Sequence, residues 1–291
     1  MNLFSYARVT KSYRVPVLWL GVLACLAAGY TDLVRGGMTI SAVLLVLGYC
    51  VLVPASIWWG FPHGATATRE RRRPEYAAAA IAASVVFGLY VLTLAPTTAL
   101  WDASEYIAAA YTFGIPHPPG NPLFVLIGRV ASVTPLLGPT VAIRINVLAA
   151  LCSALAAGFW FLITERAVHG WLQQRWQRLA VAAASAVVGA TAFTVWNQSV
   201  VNEKVYTITL VGIALCSWLI IRWLDDPDGP HASRLLVLAA YVMGLGYANQ
   251  MGALLVGPAA VVAVLVNRPR TLLRGRLILA CVVAIAAGIT P

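Results

Sequence analysis

Residues 122–138 read PLFVLIGRVASVTPLLG, and whether this stretch crosses a membrane fixes the side on which every later loop lies. It is apolar enough to be a span. Yet Arg129 stands near its middle, Pro122 and Pro135 interrupt it, and it barely reaches the length of about 20 residues that a transmembrane helix needs. Counting it as a span would also put Arg268, Arg270, Arg274 and Arg276 outside, against the preference of Lys and Arg for cytoplasmic loops. The stretch is therefore read as part of one long external loop, residues 96–139, built from interfacial or re-entrant helices. Irregular backbone is tolerated there where it is enclosed by protein or lines a cavity.

Working outward, apolar runs at 15–33, 38–59, 76–95, 140–164, 179–197, 205–223, 234–250, 252–267 and 276–291 predict nine transmembrane helices, the last two short. With a cytoplasmic N-terminus, 16 of the 20 Lys and Arg fall inside, and only Arg35, Arg129, Arg144 and Lys204 remain outside. Composition agrees with an all-α, polytopic integral membrane protein: 60% of the 291 residues are hydrophobic and 10% charged, against about 25% charged in soluble domains. The net charge of +10 does not indicate nucleic acid, because the basic residues form short clusters between apolar runs rather than a stripe. Arg8, Lys11 and Arg14 ahead of the first run read as an uncleaved signal anchor. Cys25, Cys50, Cys152, Cys216 and Cys281 each sit inside an apolar segment without metal-ligand spacing, as helix-packing residues do. The basic stretch around Arg69–Arg73 divides a two-helix N-terminal unit, 1–75, from a core, 76–291.

Chemistry collects on the external side. In WDASEY, Trp101–Tyr106, a helix would place Asp102 and Glu105 on one face as an i, i+3 pair. Neighbouring negative charge and partial burial raise the pKa of one carboxylate of such a pair, which suits proton abstraction. The plainer reading is a helix start with acids on its dipole. In GIPHPPGNP, Gly114–Pro122, prolines bracket His117 and stiffen its loop; the plainer reading there is a tight turn with an incidental histidine. Arg129 and Arg144 border apolar segments, where an arginine snorkels or finds an anion such as a lipid phosphate. WNQSVVNEKVY, Trp196–Tyr206, brings Glu203 and Tyr206, and its Asn197-Gln198-Ser199 sequon lies too near the membrane to count. Asn249 and Gln250 occupy a short outer turn where amides need partners. No Walker loop, GxGxxG or HExxH is present, and Asp225-Asp226-Pro227-Asp228 reads as a solvated cytoplasmic turn.

Taken in order, WDASEY, HPPGNPL, WNQSVVNEKVY and GLGYANQ (Gly244–Gln250) resemble the bacterial protein O-mannosyltransferase-like membrane family, formerly a domain of unknown function, over about residues 77–260. That family resembles the GT-C glycosyltransferase superfamily, whose members take a sugar from a polyprenyl-phosphate donor and use an acid in the first external loop of the core. The resemblance implies a GT-C-like core and a catalytic role for Asp102 or Glu105. Trp101, His117, Arg129, Arg144, Glu203, Tyr206, Asn249 and Gln250 would bind donor or acceptor, with His117 and Arg129 or Arg144 at the lipid phosphate. Gln250 stands where the family pattern has a histidine, and the chain stops at Pro291 within an apolar run, where relatives continue with further helices and a soluble region.

The function expected is an inverting, mannosyltransferase-like enzyme of the plasma (inner) membrane, multi-pass, with its site external or periplasmic. The lipid-linked sugar is its donor, a protein or glycan its acceptor, and membrane lipid its surroundings; no cofactor and no metal are expected. The alternatives are a transporter or lipid flippase, against which the acids at span ends and the lack of a repeat argue, and a catalytically inactive assembly partner. The charge split generates a topology test. Cysteines introduced at 118 are expected to react with an impermeant thiol reagent in intact cells, and cysteines at 70 to be protected; the reverse pattern would overturn the orientation.

Overall fold

A computed structural model of the protein describes residues 3–60, 73–99, 101–202 and 205–291, and no strand occurs among the described residues. In chain order, α1 (Leu3–Val34) is followed by α2 (Thr39–Val46), which runs through π-helical turns at Leu47–Leu52 into α3 (Val53–Gly60). The π turns lie just before Pro54, whose ring and missing N–H do not fit a regular helix interior. Next come α4 (Tyr76–Leu92), α5 (Ala103–Thr112), α6 (Pro122–Ser132), α7 (Val141–Ala167), α8 (Arg175–Thr191) and α9 (Phe193–Val200). The chain ends in α10 (Tyr206–Asp225), α11 (Ala232–Tyr247), a 3₁₀ turn at Met251–Leu255 leading into α12 (Val256–Asn267), and α13 (Gly275–Ile289).

All nine apolar runs are thus helical, but not all have spanning length. Pro16–Val34, Thr39–Gly60, Val141–Gly170 and Tyr206–Asp225 are long and apolar enough to cross a membrane, and α8 with α9 makes a fifth if the pair, bent by 68°, is one span. Tyr76–Leu92, Ala232–Tyr247, Met251–Asn267 and Gly275–Ile289 are apolar but shorter. At about 1.5 Å per residue, α11 with its 16 residues falls short of a hydrocarbon layer about 30 Å thick. Among the described residues, length and apolarity therefore support four or five spans where the sequence reading has nine. The run expected at 179–197 is broken because Ala192 takes an extended conformation (φ −57°, ψ 134°), a break that neither proline nor glycine marks. Within 96–139, α6 is a packed helix. Eight of its residues are buried, Leu123, Phe124, Val125, Leu126, Gly128, Arg129, Ala131 and Ser132 among them, so protein encloses it. The boundary expected around Arg69–Arg73 falls almost wholly outside the described residues. On either side of it the helices share cores: Val22, Val53 and Ile57 pack with Val237, Tyr241 and Ala284.

The bundle is built on α7, which packs against α4, α6, α8 and α10 and has 67% of its span buried against 11% for α1. Small side chains make this possible. Ala150, Ala154 and Ala157 meet Ala79, Ala182, Ala186 and Ala190 in one cluster, which lets backbones approach and maximises dispersion contacts where no hydrophobic force separates helix from lipid. One end of these helices is tied by ion pairs: Glu165 with Arg178 (3.1 Å), Asp225 with Arg166 (2.6 Å) and Arg222 (2.8 Å), and Glu75 with Arg175 (2.8 Å). Segments α5 and α6 pack at the other end, on Ile145 and Leu148 of α7.

The closest approach is between α11 and α13. A Cβ on Gly288 would come 2.6 Å from the Tyr241 carbonyl oxygen, and one on Gly244 would meet the backbone of Ile285. Backbone cannot yield as a side chain does. Gly244→Val is therefore expected to destabilise the protein by about 1–3 kcal/mol, in the range of overpacked cores. Gly212→Ala, where nothing lies within 4 Å, is expected to leave stability unchanged or raise it. Thermal unfolding in detergent checks both.

Candidate functional site

The WDASEY stretch does form a helix start. Asp102 is the N-cap residue of α5, and its side chain makes no cap hydrogen bond to that helix. Glu105, in the first turn, points the same way, as an i, i+3 pair should. The helix ends at Phe113 in left-handed conformation (φ 56°), and the chain then turns back along it through Gly114–Gly120. Gly120 (φ 89°) and Asn121 (φ 44°) both adopt positive φ, which glycine accepts freely and asparagine better than most residues. Pro122 then opens α6 at its first turn, where a missing N–H costs nothing.

That return brings His117 onto Glu105. The His117 backbone N–H donates to Glu105 Oε1 at 2.6 Å, and His117 Nδ1 lies 2.9 Å from Glu105 Oε2. Both side chains are 42% exposed, so the pair is open to solvent. These bonds from His117 hold the Glu105 carboxyl below the usual carboxylate range, outweighing the charge of Asp102, which pushes it up. Asp102, Glu105 and His117 each present a ligand-type atom within 4.8 Å of the others, the only such group of three or more among the described residues. The His117 ring also meets the edge of Tyr106, centroids 5.5 Å apart.

Behind this open cluster runs a buried ladder of polar groups. The Tyr106 hydroxyl donates to Asn121 Oδ1 (2.9 Å), and Asn121 Nδ2 donates to the Asn249 carbonyl. Asn249 Nδ2 then donates to the Val205 carbonyl (2.9 Å) and to Thr209 Oγ1 (2.8 Å). A second buried amide, Asn146 on α7, donates to the carbonyls of Ala95 and Thr97 and accepts from the Asn202 N–H. Tyr106, Asn121, Asn146, Asn202 and Thr209 are not among the site residues read from the sequence. All but Asn146 and Thr209 lie inside the quoted motifs, so polarity within an apolar context was their available signal.

The remaining sequence-predicted residues fall elsewhere. Arg129 is buried on α6 and turned inward: NH1 donates to the Tyr111 carbonyl, NH2 to Thr39 Oγ1 (2.7 Å), and its guanidinium lies 5.7 Å from the Tyr111 ring. Arg144 donates to the carbonyls of Gly138 and Ser132, each at 2.8 Å. Both cations are thus engaged by main-chain carbonyls of their own chain. Asn249 is an anchor rather than a cavity wall, with Gln250 following it at the entry to the 3₁₀ turn. Trp101 is 83% exposed, Tyr206 is the first residue of α10, and Glu203 lies outside the described residues.

The described residues are all-helical apart from loops and include several apolar helices long enough to cross a membrane, with an acid–histidine cluster formed by α5 and the loop after it; the class these features define is a polytopic membrane protein. Residues 102–273 match the family model of the protein O-mannosyl-transferase TMEM260 N-terminal domain, more than half of the chain, and the chain belongs to that family. It is 30% identical over 177 residues to protein O-mannosyl-transferase TMEM260 of Mus musculus, covering 59% of this chain and 23% of that protein. Its similarity to protein O-mannosyl-transferase tmem260 of Dictyostelium discoideum is 26% identity over 172 residues, covering 56% of this chain and 20% of that one. The match thus takes in less than a quarter of either relative's length. No solved structure matches the chain.

Because the folded-state pKa of Glu105 is depressed, its contact with His117 is fully present above the usual carboxylate pKa and is lost as pH falls through the lowered value. Glu105→Gln removes the charge that makes these bonds strong. Segment 114–121 is expected to exchange its amide hydrogens faster in that variant at neutral pH, and the wild type to approach the variant's behaviour only in acid. Hydrogen–deuterium exchange read by mass spectrometry checks this, and identical exchange in the two proteins would contradict it.

Proposed function

We propose that this chain is the membrane core of a glycosyltransferase that moves a mannose-like sugar from a polyprenyl-phosphate donor to an acceptor hydroxyl on a protein or glycan. Two things support the reading: both relatives carry the name protein O-mannosyl-transferase, and the family match begins at Asp102 itself. The single observation that carries it is the convergence of Asp102, Glu105 and His117 within 4.8 Å at the solvent-open end of α5.

The two carboxylates differ in what they can do. Glu105 is engaged on both oxygens by His117, and a carboxylate so held is the weaker base. Asp102 therefore takes the base role, and Glu105 positions His117. In the step proposed, Asp102 takes the proton of the acceptor hydroxyl as its oxygen attacks the anomeric carbon. The bond from that carbon to the phosphate oxygen breaks with inversion, and the phosphate leaves carrying the electron pair. His117 Nε2–H meets the departing charge, as preorganised donors do in acyl and phosphoryl transfer. Arg129 and Arg144 hold α5, α6 and the 138–139 turn in place and so act on this site by position.

The wider arrangement proposed is nine spans in all, two in the N-terminal unit 1–75 and seven in a GT-C-like core over 76–291. The N-terminus is cytoplasmic, the membrane is the plasma (inner) membrane, and the cluster faces outward. The end tied by Arg166, Arg175, Arg178 and Arg222 supports this orientation, since the positive-inside preference puts that end in the cytoplasm and α5 with α6 opposite it.

Removing a catalytic base costs about 10²–10⁴-fold in rate. Asp102→Asn in the full-length protein is expected to lower sugar transfer by that amount, and Glu105→Gln by less. If Glu105→Gln abolished transfer while Asp102→Asn left it near normal, the roles would be exchanged. Should neither change matter while the protein still moves lipid-linked sugar across vesicles, the transport reading replaces this one.

A further inference from the structure

We infer that Asp102, Glu105 and His117 form a binding site for a divalent first-row cation, with Mn²⁺ the ion of best fit. This departs from the metal-free reaction expected from the sequence, and the reason is the fold. The two acids lie on α5, and the imidazole arrives from a separate segment after a left-handed turn. Only the tertiary structure therefore shows three ligand-type atoms within 4.8 Å of one another.

The spacing fits coordination. Two ligands in adjacent positions around an ion at about 2.1 Å stand about 3.0 Å apart, and His117 Nδ1 lies 2.9 Å from Glu105 Oε2. The cation would sit where the Glu105–His117 hydrogen bond now runs, taking the Nδ1 lone pair and leaving the proton on Nε2. Asp102 needs only a small approach to supply the third ligand through one oxygen. Its other oxygen stays available for a proton.

Electrostatics points the same way. Two carboxylates placed this close repel, as the upward push of Asp102 on Glu105 shows, and a divalent cation removes that repulsion. The buried guanidinium of Arg129 is turned to Tyr111 and Thr39. The donor set selects the ion: two carboxylates suit a hard cation, and one imidazole favours a transition metal over Ca²⁺ or Mg²⁺. Three protein ligands leave open positions, the mark of sites that also receive substrate. Here those positions would take phosphate oxygens, a use that rests on the glycosyltransferase reading; cation binding itself does not.

The test uses the purified full chain in detergent, titrated with MnCl₂ near pH 7.5, with free Mn²⁺ read from its six-line electron paramagnetic resonance signal. One equivalent is expected to bind, with affinity at least tenfold weaker in both Asp102→Asn and His117→Gln. Glu75→Gln, at the far end of the bundle, serves as control and is expected to bind as wild type. All three substitutions are at solvent-accessible positions, and thermal unfolding without Mn²⁺ confirms that the variants are folded. No bound Mn²⁺ in the wild type, or binding undiminished in both site variants, would overturn the proposal. Because the readout needs no sugar transfer, that result would leave the proposed transferase activity standing.

Discussion

The side-chain amide of Asn121 is the constraint on which the site depends. It sits 3% exposed among Tyr106, Phe124, Ile208 and Ala248, which belong to one apolar cluster or border it. A buried amide without partners costs several kcal/mol in such surroundings. Its oxygen takes the Tyr106 hydroxyl of α5 and its nitrogen gives to the Asn249 carbonyl beyond α11, so one side chain fixes three segments. Beside the held Asn121, Gly120 turns at positive φ, and His117 lies back over Glu105 of α5. The open cluster is thus positioned by a closed one.

A similar economy governs the two arginines. An arginine inside an apolar segment must find negative charge or several acceptors, and main-chain carbonyls left over at helix ends are such acceptors. Arg129 takes one near the C-terminus of α5, and Arg144 takes those following α6. Each therefore joins the last turn of one short helix to another element. Arg129 also reaches Thr39 at the start of α2, which couples the N-terminal helices to the segment carrying the site. Of the guanidinium groups that charge alone assigns to lipid phosphate, that of Arg129 ties α6 to α5 and that of Arg144 ties α7 to the end of α6 and the turn after it.

The bundle beneath is an exercise in small residues. Alanine faces let α4, α7 and α8 approach, and Gly244 with Gly288 let α11 and α13 come into backbone contact. Small polar side chains such as Ser153 are accommodated within this packing, while the ion-paired residues and the acid–histidine cluster lie towards its ends. At one end are the ion pairs between helices; at the other are the amide ladder and the acid–histidine cluster.

The sequence by itself determined that the chain is helical and apolar, where most helices lie, and that Asp102 and Glu105 share a face. Each of these follows from local periodicity, length or charge spacing, which need no knowledge of distant contacts. It also carried, in its four motifs, the family to which the chain belongs. Only the tertiary structure decided the rest. The break at Ala192 and the shortness of α4 and α11 depend on tertiary surroundings, for which hydropathy has no signal. The inward turn of Arg129 and Arg144 and the anchoring role of Asn249 depend on which carbonyls lie within reach. The meeting of His117 with Glu105 requires the chain to reverse through Phe113, Gly120 and Asn121, and a reversal brings together in space residues that linear spacing keeps apart.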